Sequence, residues 1–487
     1  MSRRAWWLWW LVAGVLLGAG AVVLGTATSD ITRTSGQADG LQYRVVSSAD
    51  APDAPAVVLA HGFAGSAAMM DPLASALARA GYLVVLPDLP GHGGNAEALT
   101  DESLEPAIAD AVAVARGLTS GPVSVAGHSM GAGAVTRWAS TAPEAASPGA
   151  TVAISLPSAE DLPAEPARPP NLLVLWGSAE QPRFADAALA ALHRAYPEGV
   201  AGVTYGSTGQ RTARRAVQIS GAEHVSVVYR AQTAGEIAAW LGGGQPQGDA
   251  RWIGLVLVLA GGVLATRPLL TGVRPGASGA APDNGVRSWV AAAWLGGSVV
   301  VAGLGAAAVT GLAERIPVAV GGYLMAWFAC GAAVLMLAGR RGSPVGGGPS
   351  FARGIAAGIV LTLALALPAR LTWAAFHPVG PRWWVLLLLL AVLGGWLLGE
   401  ARLVLGRTGW RRAGLLFLSR VLVVVGLLGA VALLGAPAFL TLTVPLVIPI
   451  LAVLAVVAGW SPDPASAAAA QAIPLATAIA TTFPLLG

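Results

Sequence analysis

The chain has 487 residues, enough for more than one domain, and 55% of them are hydrophobic, above the usual globular share. Only 11% are charged, the formal net charge is +4 and the mean hydropathy is positive, a combination that points to a membrane protein. All 29 basic residues are arginine and form no basic stripe on a folded domain, which argues against nucleic-acid binding; the single cysteine, Cys330, excludes an intrachain disulfide and a cysteine metal cluster.

Met-Ser-Arg-Arg opens the chain and an uninterrupted apolar stretch follows over residues 5–25. This stretch exceeds the about 7–15 residues of a signal-peptide core and is long enough to span a bilayer as a helix. The tryptophans from Trp6 to Trp10 suit an interfacial belt. Residues 1–25 are therefore predicted as a retained signal-anchor. A cleaved signal peptide is the alternative, because residues 25–27 resemble a small-residue cleavage site. Both place the next domain outside the cytoplasm.

Residues 41–241 have the mixed composition of a soluble α/β domain. Short Val/Leu/Ile-rich runs predict strands at 42–46, 56–60, 82–87, 123–126, 151–155, 171–176 and 215–219. Several are continuously apolar, as expected of strands buried on both faces of a parallel sheet. Helical stretches at 67–80, 104–118, 132–141, 184–196 and 226–241 alternate with them, which predicts a doubly wound, mostly parallel sheet. Residues 242–251, rich in Gly and Gln at their start, read as a linker.

From residue 252 to the end the chain reads as an all-α transmembrane bundle of seven or eight helices. The apolar segments are 252–265, 289–312, 317–337, 354–371, 383–398, 413–434 and 439–458, with a weaker one at 465–486 that contains Pro474 and Pro484. With the N-terminus cytoplasmic, the inside loops carry Arg267, Arg274 and Arg287, then Arg340, Arg341 and Arg353, then Arg402, Arg407, Arg411 and Arg412. The outside loops carry few arginines, so the positive-inside pattern holds along the bundle. Glu314 with Arg315, and Glu400 with Arg402, read as interfacial charges. Arg420 alone lies inside a predicted span, with no acidic partner nearby in sequence.

The chemistry is concentrated in the α/β domain. Gly127-His128-Ser129-Met130-Gly131 fits G-x-S-x-G between a predicted strand and a predicted helix, the context in which a strained turn lifts a serine hydroxyl above the sheet. Serine needs a base, itself oriented by an acid, and in this layout the chain order is Ser, acid, His. His224, just past the last strand, is the predicted base; His193, predicted mid-helix, reads as a surface residue. Glu180, in the loop after the strand at 171–176, is the predicted acid. Asp186 is the alternative acid, and Glu160 and Asp161 are less usual choices. His61-Gly62-Phe63 follows the strand at 56–60, and the backbone amides of Phe63 and Met130 are the candidate oxyanion hole.

The run His61-Gly62-Phe63-Ala64-Gly65-Ser66, the later Asp88-Leu89-Pro90-Gly91-His92-Gly93 and the Ser129 motif together resemble the α/β-hydrolase superfamily, nearest its lipase, esterase and serine-aminopeptidase-like members. That resemblance covers about residues 41–241 and implies that Asp88, His92 and His128 shape the structure or pocket rather than act in a triad. Many relatives insert a helical cap where this chain has only the short Pro-rich stretch 156–170, so an open site is expected.

The expected activity is that of a membrane-anchored serine hydrolase cleaving acyl-ester bonds, with lipid or another acyl ester as substrate and no metal or organic cofactor. Acyl transfer and peptide cleavage use the same machinery. The alternative makes the helical region the working part, as a transporter or an assembly protein with the hydrolase fold as a binding or sensor domain. The bundle could also dock a membrane partner. The expected location is the cell membrane, multi-pass, with the hydrolase domain extracytoplasmic.

Overall fold

A computed structural model describes residues 1–48, 53–272 and 286–487. The chain divides into two units, one helical (Met1–Leu24, Trp252–Pro368 and Pro378–Thr481) and one α/β (Gly25–Arg251, Ala369–His377 and Thr482–Gly487).

The α/β unit is built on one eight-stranded sheet. Its strands are β1 (Thr32–Ala38), β2 (Leu41–Ser47), β3 (Ala56–Ala60), β4 (Leu83–Asp88), β5 (Val123–His128), β6 (Thr151–Ile154), β7 (Leu172–Gly177) and β8 (Arg214–Ile219). The spatial order is β1-β2-β4-β3-β5-β6-β7-β8. β1 and β2 run antiparallel at one edge, and the strands from β4 onward are parallel. Every residue of β3, β6 and β7 is buried, which explains their unbroken apolar runs. β1 is not among the predicted strands. Its sequence, Thr-Arg-Thr-Ser-Gly-Gln-Ala, is polar and half exposed, and pairing with β2 rather than burial holds it in place.

Helices cover both faces. α1 (Arg3–Ala27) precedes the sheet; α2 (Ala67–Arg79) and α6 (Ala231–Leu241) pack on one face with the 3-10 turn Ser226–Tyr229. On the other face lie α3 (Leu104–Leu118) and α4 (Met130–Thr141), then α5 (Pro182–His193). The β6–β7 connection, residues 156–170, contains no helix. Beneath α2 the buried Asp71 carboxylate meets three guanidinium groups: Arg251 at 2.6 Å, Arg44 at 2.9 Å and Arg33 at 3.0 Å. Burial alone would push this carboxyl up, but the three arginines outweigh it and hold it down at about 2.

The helical unit comprises most of α1, then α7 (Arg251–Thr271), α8 (Ser288–Ala308), the single turn α9 (Thr310–Ala313), α10 (Gly321–Gly339), α11 (Gly348–Thr372), α12 (Arg382–Val404), α13 (Gly409–Leu434), α14 (Leu440–Trp460) and α15 (Pro464–Thr482). Among the described residues eight helices are long and apolar enough to cross a membrane: α1, α7, α8 and α10 to α14. Such a set suits a multi-pass membrane protein. The predicted loop residue Arg274 lies outside the described residues. Small residues set the packing. A Cβ on Gly20 of α1 would meet Gly254 O of α7 at 2.9 Å, and one on Gly399 of α12 would meet Leu335 C of α10 at 2.6 Å.

Two sequence readings change here. Glu400 is buried rather than interfacial, and it is the partner that Arg420 lacked in the local sequence: the two pair at 2.9 Å between α12 and α13. Gln471 of α15 accepts a second bond from Arg420 Nη2 at 2.6 Å. Spacing along one helix could not reveal a pair formed between two.

Candidate active site

The residues singled out in the sequence come together at the carboxyl ends of β3, β5, β7 and β8. β5 ends at His128, α4 begins at Met130, and Ser129 makes the whole turn between them. Its backbone sits at φ 52° and ψ −115°, a region that costs a non-glycine residue on the order of 1–3 kcal/mol. The surrounding glycines make the turn feasible. A Cβ on Gly127 would lie 2.3 Å from Gly131 O, and one on Gly131 would lie 2.5 Å from His61 O. Strand, turn and helix are thus too close for any side chain at the two flanking positions.

His224 lies in the turn after β8. Its Nε2 is 3.1 Å from Ser129 Oγ, and its ring stacks on Phe184 with centroids 4.4 Å apart. The imidazole is 6% exposed, so its orientation is fixed by packing before any substrate arrives. Glu180 lies three residues beyond the end of β7, and its Oε1 is 3.4 Å from His224 Nδ1. Ser155 Oγ, just after β6, donates to the same carboxylate oxygen at 2.5 Å. Ser155 was not singled out in the sequence; its position at the end of a strand next to β7 was the available signal.

The other candidates fall elsewhere. Asp186, Glu160 and Asp161 are exposed, and among the described residues no contact joins them to His224. His193 ends α5, exposed, with Nε2 bonded to Gly199 O at 2.8 Å.

Around the hydroxyl the loops are tied together by buried histidines. The turn after β3 lies against the nucleophile position: a Cβ on Gly62 would be 3.2 Å from Ser129 Cβ. Phe63 follows at once, and Met130 is the first residue of α4, so both backbone amides come from segments adjoining the hydroxyl. His61 accepts from Leu89 N at Nε2 (3.1 Å), which leaves Nδ1–H to donate to Gly62 O at 2.8 Å. His128 Nε2 bonds to the carbonyl oxygen of His224 at 2.8 Å, pinning the backbone of that turn. Burial lowers the pKa of both rings, His128 well below its ordinary value with His224 adding to the effect, so both are neutral at physiological pH. Asp88 accepts from Ala67 N at 2.7 Å and Gly94 N at 2.8 Å, bracing the loops after β3 and β4.

Among the described residues no group of three or more His, Cys, Asp or Glu side chains could hold a metal ion. The arrangement is a hydroxyl, an imidazole and a carboxylate in series, with loop amides alongside.

Residues 55–195 match the family model described as alpha/beta hydrolase fold, and the unit that contains them has that fold by its sheet order and by its strand–Ser129–helix turn. Among curated proteins the chain is similar to a thermostable monoacylglycerol lipase of Bacillus sp. (strain H-257), 50% identical over 60 residues. That match covers 12% of this chain and 24% of the lipase, so the chain spans about a quarter of that relative's length. A solved membrane phospholipase A, described as a bacterial virulence factor, is 18% identical over 48% of this chain and 93% of its own, with a TM-score of 0.35. An esterase of Pyrobaculum calidifontis is 19% identical over 47% and 91%, with a TM-score of 0.33. Likeness at these levels does not extend to substrate.

Proposed function

We propose that this α/β hydrolase is a membrane-anchored serine hydrolase that cleaves acyl esters through a Ser129–His224–Glu180 triad. The observation that carries this reading is the relay of contacts, 3.1 Å from Ser129 Oγ to His224 Nε2 and 3.4 Å from His224 Nδ1 to Glu180. Ser129 Oγ attacks the ester carbonyl while its proton passes to Nε2 of His224. Glu180 keeps the proton of the neutral ring on Nδ1 and stabilises the imidazolium that forms. The amides of Phe63 and Met130 hold the developing oxyanion. Collapse of the tetrahedral intermediate releases the alcohol, protonated by His224, and leaves an acyl group on Ser129. Water, deprotonated by the same ring, then releases the acid.

The substrate class rests on the anchor and on the lipase relative: an acyl ester or lipid that partitions into the bilayer. The arginine pattern of the loops supports a cytoplasmic N-terminus and an extracytoplasmic hydrolase domain. The fit of α1 against α7 at Gly20 supports retention of the N-terminal helix.

A fluorophosphonate probe tests the enzyme directly. The full chain in detergent should label and should hydrolyse a p-nitrophenyl acyl ester, while Ser129→Ala does neither and still inserts into membranes. A folded wild-type chain that neither labels nor turns over the ester would reject the reading. The buried Arg420–Glu400–Gln471 set favours the second reading, in which the helical unit does the work, because an intramembrane charge pair is costly and often functional. The same silent probe experiment would move the weight there.

A further inference from the structure

The helical unit carries a cavity of about 950 Å³ walled by α13 and α14, at the upper end of the about 300–1,000 Å³ of small-molecule sites. Leu, Val, Ile and Ala make up most of its lining, and no Asp or Glu lines it. Along α14 it runs from Ile448 to Trp460, about 18 Å of helix at about 1.5 Å per residue. Half of a hydrocarbon core of about 30 Å is about 15 Å, so the cavity has the depth of one leaflet.

Its arginines divide by depth. Arg420 lies inside the span, and its charge is met by Glu400 at 2.9 Å and by Gln471 at 2.6 Å. Arg407, in the turn before α13, donates to the carbonyls of Leu403 and Val286. Arg412, in the first turn of α13, is half-buried. Its Nη2 donates to Ala458 O at 2.9 Å and Ser461 O at 2.8 Å, where α14 ends. Those bonds fix the guanidinium at the cavity wall, while Nε and Nη1 have no acceptor among the described residues.

A second guanidinium, that of Arg267, stands at the same end, 5.6 Å from the ring of Trp460 and 4.2 Å from that of Trp9. Among the described residues neither Arg412 nor Arg267 pairs with a carboxylate. The acid of the adjoining turn, Asp463, is taken up by Ser350 Oγ and Ser466 N. A positive loop sets topology without any cavity beside it, but a fixed, half-buried guanidinium next to an apolar slot calls for an anion. A small aqueous anion would match the cation and leave the apolar walls unmatched. A molecule with an anionic head and a long apolar chain matches both, as basic pockets between membrane helices do with acidic lipids.

We propose that the cavity between α13 and α14 binds an anionic phospholipid, with its phosphate on Arg412 and an acyl chain along Leu416, Val424, Ile448 and Ala452. The planar fork of arginine suits a phosphate diester. All the lining residues belong to the helical unit, so the site stands independently of the assignment of Ser129.

The test is native mass spectrometry of the full chain in detergent, titrated with phosphatidylglycerol and phosphatidylcholine of the same acyl chains. Wild type should hold phosphatidylglycerol at least tenfold more tightly. Arg412→Gln should cost about tenfold in affinity for phosphatidylglycerol, the size of one charge-assisted hydrogen bond, and leave phosphatidylcholine unchanged. Ala452→Phe, at an exposed position of the wall, fills the cavity without touching the charge and should weaken both lipids. Arg341→Gln removes an exposed loop arginine outside the cavity and should change neither by more than about twofold. Equal affinity of wild type for the two lipids would overturn the proposal. So would a folded Ala452→Phe protein that binds both like wild type, or a loss in Arg341→Gln as large as in Arg412→Gln.

Discussion

Replacing Glu180 by Gln keeps the size and shape of the side chain and removes its charge. In the structure the carboxylate sits 3.4 Å from His224 Nδ1 and is 1% exposed. When Ser129 gives up its proton the ring becomes cationic, and a unit charge pair at that distance is worth about 5 kcal/mol at an effective dielectric of about 20. Each 1.4 kcal/mol is a factor of ten, so the expected loss in kcat is about 10³-fold, with KM little changed. The contact is longer than a charge-assisted hydrogen bond of about 2.7–2.9 Å, so the loss should fall short of the about 10⁴-fold seen when a tighter triad acid is neutralised. The assay is steady-state hydrolysis of a p-nitrophenyl ester, with Asp186→Asn as the companion variant. Asp186 is exposed, and its variant should stay within about twofold of wild type. A Glu180→Gln enzyme retaining a third of wild-type kcat, or an Asp186→Asn enzyme that is the one to collapse, would refute the assignment.

Acid should loosen the α/β unit through Asp71. Its folded pKa is about 2 against an ordinary 3.8, so the charged form is favoured in the folded state and the stabilisation is complete above the unfolded value. About 2.4 kcal/mol is then lost progressively as pH falls from about 5 to about 1, and Asp71→Asn should abolish that part of the dependence while lowering stability at neutral pH. Thermal unfolding followed by tryptophan fluorescence in detergent measures both; parallel pH profiles for variant and wild type would contradict the role of the arginine cluster. Orientation is open to labelling. Gly248→Cys, an exposed site where the new side chain meets nothing within 4 Å, should react with an impermeant maleimide from outside intact cells in a Cys330→Ser background. Reaction only after the cells are opened would reverse the topology.

Much of the α/β unit could be read from the sequence because burial writes itself into composition. β3 and β7 are continuous apolar runs since both their faces are covered, and the glycines about Ser129 are there because backbone passes where a side chain would be. The nearness of Glu180 to His224 was within reach for a topological reason: the loop after β7 opens on the same sheet edge as the loop after β8. β1 was not, because a polar edge strand held by pairing leaves no periodic trace. Arg420 and Glu400 lie on separate helices, so no rule of local spacing links them. The segment Ala369–His377 is what sequence alone presents as a connector between two apolar helices, and only three-dimensional placement brings it to the α/β unit. The same holds for Ser155, whose hydroxyl gains meaning only from the carboxylate beside it.

The attachment of residues 369–377 and 482–487 bears on how the enzyme can be handled. Cutting the gene after Leu241 to obtain a separate α/β fragment would remove the Trp373 and Thr372 carbonyls to which Ser66 and Tyr229 donate, and would open the apolar surface that Phe483 and Leu485 now cover, since these are only 6% and 2% exposed. The hydrolase is therefore not a passenger bolted to a membrane carrier. The chain passes into the helical unit and returns twice before the α/β unit is complete, so neither unit is encoded by one continuous stretch of sequence.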